Sequence, residues 1–158
     1  MDLIDFPALE RVLQDFAKDF EENYKDTLRQ HGRVASGDLI NSVKTKVNTG
    51  TGYYEVTVTL KDYWKYVENG TRPHWPPRDA ILRWIQIKHI TPYQDRNGRL
   101  PSPESLAFLI SRKIATVGTE GSHDMQSVKD ALIPLFRQRI AEALGNDMRA
   151  YFRRVTVF

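Results

Sequence analysis

Seven apolar residues at helical spacing constrain this chain more than any other feature. Phe6, Leu9, Leu13, Phe16 and Phe20 recur at three- and four-residue steps, and Tyr24 and Leu28 continue the stripe. Residues three and four apart share one side of an α-helix, so the pattern predicts a long amphipathic helix over residues 3–31. The opposite side carries Glu10, Arg11, Asp15, Lys18, Glu22 and Lys25. Pro7 is tolerated only near the first turn, and Gly32 supplies a C-terminal stop. Such a stripe is used either as core or as a seam between copies of the chain.

A different periodicity comes next. In the segment 35–43, Ser36 or Asp38 can cap a short helix by accepting hydrogen bonds from free backbone N–H groups. Lys44-Thr45-Lys46-Val47 then mixes polar and β-branched residues, and Asn48-Thr49-Gly50-Thr51-Gly52 is a turn cluster. Tyr54, Val56, Val58 and Leu60 alternate with Glu55, Thr57 and Thr59, which is the period of a half-buried strand. With residues 43–48 this predicts an antiparallel hairpin that turns one face toward helices.

Helical spacing returns after the hairpin. Asp79, just past two prolines, opens a helix through Ile81, Leu82, Trp84, Ile85 and Ile87. Pro92, Asn97-Gly98, Pro101 and Pro103 make 91–103 a loop. Ser102 or Ser105 opens the next helix, which stops at Val117-Gly118-Thr119-Glu120-Gly121. A last apolar stripe starts near Asp124 and runs from Val128 to Phe152. Pro134 either kinks that helix or marks its true start. The alternation in Val155-Thr156-Val157-Phe158 reads as a short strand joining this sheet or a neighbour's. One domain over 1–158 is expected, with the N-terminal helix, a hairpin and loop region 43–77, and helices over 79–154.

Composition excludes several chemistries. The sequence has no cysteine, hence no disulfide, thiol nucleophile or thiolate metal site. His31, His74, His89 and His123 show no metal-ligand spacing, and there is no nucleophile elbow or phosphate-cradling glycine loop. Asp38 and Glu68 are the carboxylates considered for acid–base chemistry, and nothing in the sequence brings them together. We expect no enzyme, no metal and no cofactor. The formal charge is only +3, a weak basic bias. No apolar run approaches the roughly 18 residues that a membrane span needs, so no membrane role is expected. The acidic start, Met-Asp-Leu-Ile-Asp, is unlike a secretory signal and points to a cytosol. Lys44, Lys46, Arg72, Arg78, Arg83, Lys88, Arg96 and Arg99 lie among Tyr63, Trp64, Tyr66, Trp75 and Trp84. That pattern keeps a single-strand nucleic-acid-binding module as the alternative from another class.

The stretch Tyr63–Pro77 holds two tryptophans and two tyrosines in fifteen residues. Tyr66-Val67 can finish a strand, Asn69-Gly70 turns the chain, and Thr71 can bond back to the turned backbone. Pro73, Pro76 and Pro77 hold the adjoining loop extended. The result is either a rigid corner with its aromatics in the core or a binding edge, since Trp, Tyr and Arg anchor interfaces.

These residues carry a resemblance. Ser36-Gly37-x-Leu39-x-x-Ser42, a strand, and then Tyr63-x-x-Tyr66-Val67-Glu68-x-Gly70-Thr71 before a proline-rich run resemble the phage tail-completion (head–tail joining, or neck) family, related to tail terminators. Leu106-Ala107-Phe108 through Gly118-Thr119 is similar to a segment of its longer members. The resemblance implies an α+β fold in which a small antiparallel sheet is flanked by a long N-terminal helix and C-terminal helices. It implies a structural ring, hexameric by family habit, at the neck of the virion, assembled in the host cytoplasm. Partners would be portal-side, neck and tail-tube proteins, with DNA passing through the channel unread. The tail terminator is the alternative within the class. Candidate interface and motif residues are Ser36, Gly37, Leu39, Tyr63, Trp64, Tyr66, Glu68, Gly70, Thr71, Arg72, Trp75 and Pro77.

Overall fold

The computed structural model of the chain describes residues 5–94 and 97–155. The apolar stripe forms helix α1, Pro7–Gln30. It begins at Pro7, because the proline ring presets the helical φ and needs no N–H partner at that place, and residues 3 and 4 of the expected span lie outside the described residues. Its far end closes with Gly32 at φ +63°. There Arg33 N–H donates to the Leu28 carbonyl at 2.8 Å and Gly32 N–H to that of Arg29 at 3.0 Å, so carbonyls left free by the helix end are used.

Helix α2, Asp38–Ser42, leads into strand β1, Lys44–Gly50, which pairs antiparallel with β2, Tyr53–Thr59. Val47 faces Val56, and Lys44 faces Thr59. The hairpin is tied to α1 by the Glu21 carboxylate, which accepts the backbone N–H and the hydroxyl of Thr45 at 2.9 and 3.0 Å. Lys25 completes this site at 2.5 Å.

Helix α6, Asp124–Val155, lies antiparallel to α1, and the two are joined at both ends. Near one end the Asp147 carboxylate accepts the N–H groups of Ala8 and Leu9, at 3.1 and 2.8 Å. At the other, His31 Nδ1 meets the fully buried Asp124 carboxylate at 2.6 Å. Phe20, Tyr24 and Leu28 of α1 pack there on Leu39, Ile40 and Val43, and on Met125, Val128, Leu132 and Phe136 of α6. The second half of the stripe, from Phe20 to Leu28, is therefore core, while Leu13 and Phe16 stay partly exposed. Pro134 neither starts nor ends α6, which runs through it. The proline lacks the N–H that the Asp130 carbonyl would use, and both residues lie exposed, where water can substitute. Residues 156–158, where the sequence suggested a strand, lie outside the described residues.

One expectation fails between the hairpin and α6. Tyr66-Val67 does not end a strand, because Trp64–Asn69 forms helix α3. The strand-favouring residue types are overridden by spacing. As a helix, Trp64, Val67 and Glu68 share one side, and all three are at least half withdrawn toward the core. Gly70–Thr71 then forms the short strand β3, whose partner is β4, Thr119–Glu120.

Everything between these strands is an excursion. Residues 72–118 leave at β3 and return at β4, carrying helix α4, Arg78–Ile87, and helix α5, Pro103–Val117. The two helices pack mainly on each other, with Ile85 and Ala107 buried. Among the described residues, none of this arm belongs to the central core cluster. Ser102 caps α5, its hydroxyl oxygen accepting the Ser105 N–H at 3.2 Å. The antiparallel hairpin with helices beside it is the α+β class read from the sequence.

The motif residues: an inner staple and an outer cleft

The Tyr63–Pro77 stretch divides by depth. Glu68, 7% exposed, turns inward from α3. Its two carboxylate oxygens accept the N–H groups of Met125 and Gln126 at 2.9 and 3.0 Å. These are donors that the start of α6 leaves unpaired, so a side chain 57 residues away in sequence caps that helix. The Glu68 carbonyl also accepts the His123 N–H at 3.1 Å, and the Val67 carbonyl that of Ser122 at 2.8 Å. A negative charge here also suits the positive end of the α6 dipole.

Gly70 and Thr71 continue the staple. Gly70 has φ +72°, and a Cβ on it would run into the backbone of Thr119 and Gly121. The converse holds across the ladder. A Cβ on Gly118, φ +75°, would strike the Thr71 carbonyl, and one on Gly121 that of Glu68. Two backbones cross at a distance only glycine permits. The Thr71 hydroxyl does not bond back to its own turn, as the sequence suggested. It meets the Thr119 hydroxyl at 2.9 Å.

Other motif residues face outward and meet one another. Ser36, Gly37 and Leu39 from the α2 turn, Tyr63 and Tyr66 from α3, and Trp84 and Lys88 from α4 line one cleft of about 330 Å³. Gly37, φ +85°, makes the turn into α2, while the Ser36 hydroxyl donates to Asp38 Oδ2 at 2.7 Å. Tyr66 and Tyr63 are 65% and 42% exposed, whereas Leu39 is buried. Burial, and then the Asp38 charge, raise the Tyr63 phenol above its usual range. Lys88 crosses the cleft's edge to donate to the carbonyls of Gly32 and Val34, both at 2.6 Å.

The remaining candidates lie elsewhere. Trp64 is packed against the core. Arg72 is exposed, and its carbonyl accepts the His74 Nδ1–H at 2.9 Å. Pro77 precedes α4 and accepts the Ala80 N–H at 3.2 Å. Trp75 is 57% exposed and tilts over Phe108 at 5.8 Å between centroids.

Chemically, the inner residues brace backbone. Asp38 and Glu68 do not form a catalytic pair, since both Glu68 oxygens are held by backbone and Asp38 is held by Ser36. The Tyr24 phenol is pushed well above its usual range by burial and by the Glu68 and Asp124 charges. Among the described residues, no group of three metal-ligating side chains converges, and no helix is long and apolar enough to cross a membrane. Lys88, one cation of the proposed nucleic-acid pattern, is occupied by carbonyls. Asp147 and Asp124 were missed from the sequence. Each is a carboxylate on an otherwise apolar helical side, which is the signal that could have marked them.

No curated protein and no solved structure matches the chain significantly. Residues 7–70 match the model of the HK97-gp10-like family, described as "Bacteriophage HK97-gp10, putative tail-component", and the matched segment ends at the first residue of β3. Over those residues, which hold α1, α2, the hairpin and α3, the chain is similar to that family.

Proposed function

We propose that the protein is a structural component of the phage neck, a tail-completion or head–tail joining protein. It forms a ring between portal-side proteins and the tail tube, is carried in the virion, and leaves a channel through which DNA passes unread. The observation that carries this reading is the use of the motif. Glu68, Gly70 and Thr71 brace backbone, and the neighbouring Ser36, Tyr63 and Tyr66 present an aromatic cleft. Both uses belong to a scaffold that positions contact surfaces, and neither supplies a nucleophile or an acid–base pair. A non-catalytic, structural role is part of this reading.

Deletion of the gene, with electron microscopy of the resulting particles, tests the assignment. Complete tails separate from filled heads are expected. Tails of irregular length would make the protein a terminator instead, and infectious particles of normal form would overturn both.

A further inference from the structure

Helices α4 and α5 form a body of their own. Ile85 of α4 and Ala107 and Ser111 of α5 are buried, yet among the described residues neither helix contributes to the central core cluster. The pair joins the rest of the chain through the two-residue strands β3 and β4. The cleft of about 330 Å³ lies between these two bodies. Trp84 and Lys88 wall it on the arm side, and Leu39, Tyr63 and Tyr66 on the other. The walls do not press together, since Trp84 is 41% and Tyr66 65% exposed. Two bodies that share no large apolar interface move against each other unless something ties them.

Lys88 is such a tie. Its ammonium donates to the carbonyls of Gly32 and Val34, both at 2.6 Å. These carbonyls follow the end of α1, where the helix dipole is negative and favours a cation. Lys88 is itself carried on a fixed helix end. Its N–H donates to the Trp84 carbonyl at 3.0 Å, and the Ile90 N–H to that of Ile85 at 3.1 Å, with His89 at φ +49° between them. The position of α4 and the two ammonium bonds therefore go together.

We propose that Lys88 is a latch that holds the α4–α5 arm closed against the Tyr63–Tyr66 wall, and that its release swings the arm about the β3–β4 neck and opens the cleft. The neck is the fixed point, because the backbones of Gly70, Gly118 and Gly121 cross there at a distance that keeps both strands together. A partner that fits the open cleft better than the closed one draws the arm aside. The latch goes beyond the neck assignment and does not rest on it.

The chain has no cysteine, so spin labels at Arg11→Cys of α1 and Arg112→Cys of α5 have no background. Both positions are exposed. Pulsed electron paramagnetic resonance of the full chain should give one narrow distance distribution while Lys88 is present. Lys88→Met removes two charge-assisted bonds, so it should raise the ratio of open to closed arm about ten-fold or more and add a longer-distance population. Nitration of Tyr63 by tetranitromethane, read by mass spectrometry, should speed up in the same variant, while hydrogen exchange shows α4 and α5 still protected. Two results overturn the proposal. One is an unchanged distance distribution in Lys88→Met. The other is a change accompanied by lost protection throughout α4 and α5, which would make Lys88 a support of the arm's own fold. Neither bears on the deletion phenotype, which tests the neck assignment separately.

Discussion

The Glu68 carboxylate accepts the Met125 N–H across 57 residues of sequence, at 2.9 Å and nearly out of solvent. Removing it by Glu68→Ala leaves two N–H groups at the α6 start without a protein acceptor. Hydrogen bonds to a charged group contribute about 1.5–3 kcal/mol each, so thermal unfolding should fall by about 5 °C or more. Glu68→Gln keeps one acceptor oxygen and should lose less. An unchanged midpoint in the alanine variant would remove Glu68 from this role.

Asp147 does for α1 what Glu68 does for α6. Asp147→Ala should cost about 1–2 kcal/mol and speed amide exchange at Leu9. The two caps are separated by more than twenty residues of α6, about 30 Å of helix. Their losses should therefore add in the double variant to within about 0.5 kcal/mol, measured by urea denaturation. Strong non-additivity would mean that α1 and α6 are coupled through more than the shared core.

Gly70→Val and Gly118→Val should each abolish stable folding or leave insoluble protein. Each combines a β-branched side chain at positive φ with a Cβ placed against carbonyl oxygen. Gly52→Ala is the control. Gly52 also has positive φ, +80°, but faces open space, so alanine there should cost only about 1–2 kcal/mol. Equal effects at Gly52 and Gly70, read from soluble yield and unfolding midpoint, would refute the crossing.

Glu21 predicts an acid dependence. Burial raises its carboxyl, but hydrogen bonds from Lys25 and Thr45 outweigh burial and hold the pKa below the ordinary 4.5. A group depressed on folding contributes stability above its unfolded pKa and loses it as pH falls through the folded value. Between pH 7 and pH 3 the wild type should lose more stability than Glu21→Gln. Parallel stability curves for the two proteins over that window would show that Glu21 contributes none of the dependence.

Long periodic elements were legible in the sequence, and short ones were not. Phe20, Tyr24 and Leu28 announced α1, and Tyr54 to Val58 announced β2, because each repeats one pattern over several turns or residues. Helix α3 was misread because Tyr66 and Val67 favour strands, and six residues are too few for spacing to outvote type. The outer half of the motif, Ser36, Tyr63 and Tyr66, was selected by resemblance, and the structure brings it into one cleft. The inner role of Glu68 was invisible, since its partners are backbone N–H groups that carry no residue signature. Pairing of β3 with β4 was hidden for a similar reason. Two-residue strands about 48 positions apart leave no periodicity, only glycines.

That distant pairing has a kinetic consequence. Gly70 and Glu120 can meet only after nearly fifty intervening residues have been gathered, so the ladder carries a larger closure entropy than the local β1–β2 hairpin. Contacts of such separation form late in folding. During synthesis α1, the hairpin and α3 would emerge first, and Glu68 would wait, uncapped, for the whole arm to pass before its helix arrived. The chain's last third is thus what completes its first, and a ribosome paused within the arm would hold a half-built core.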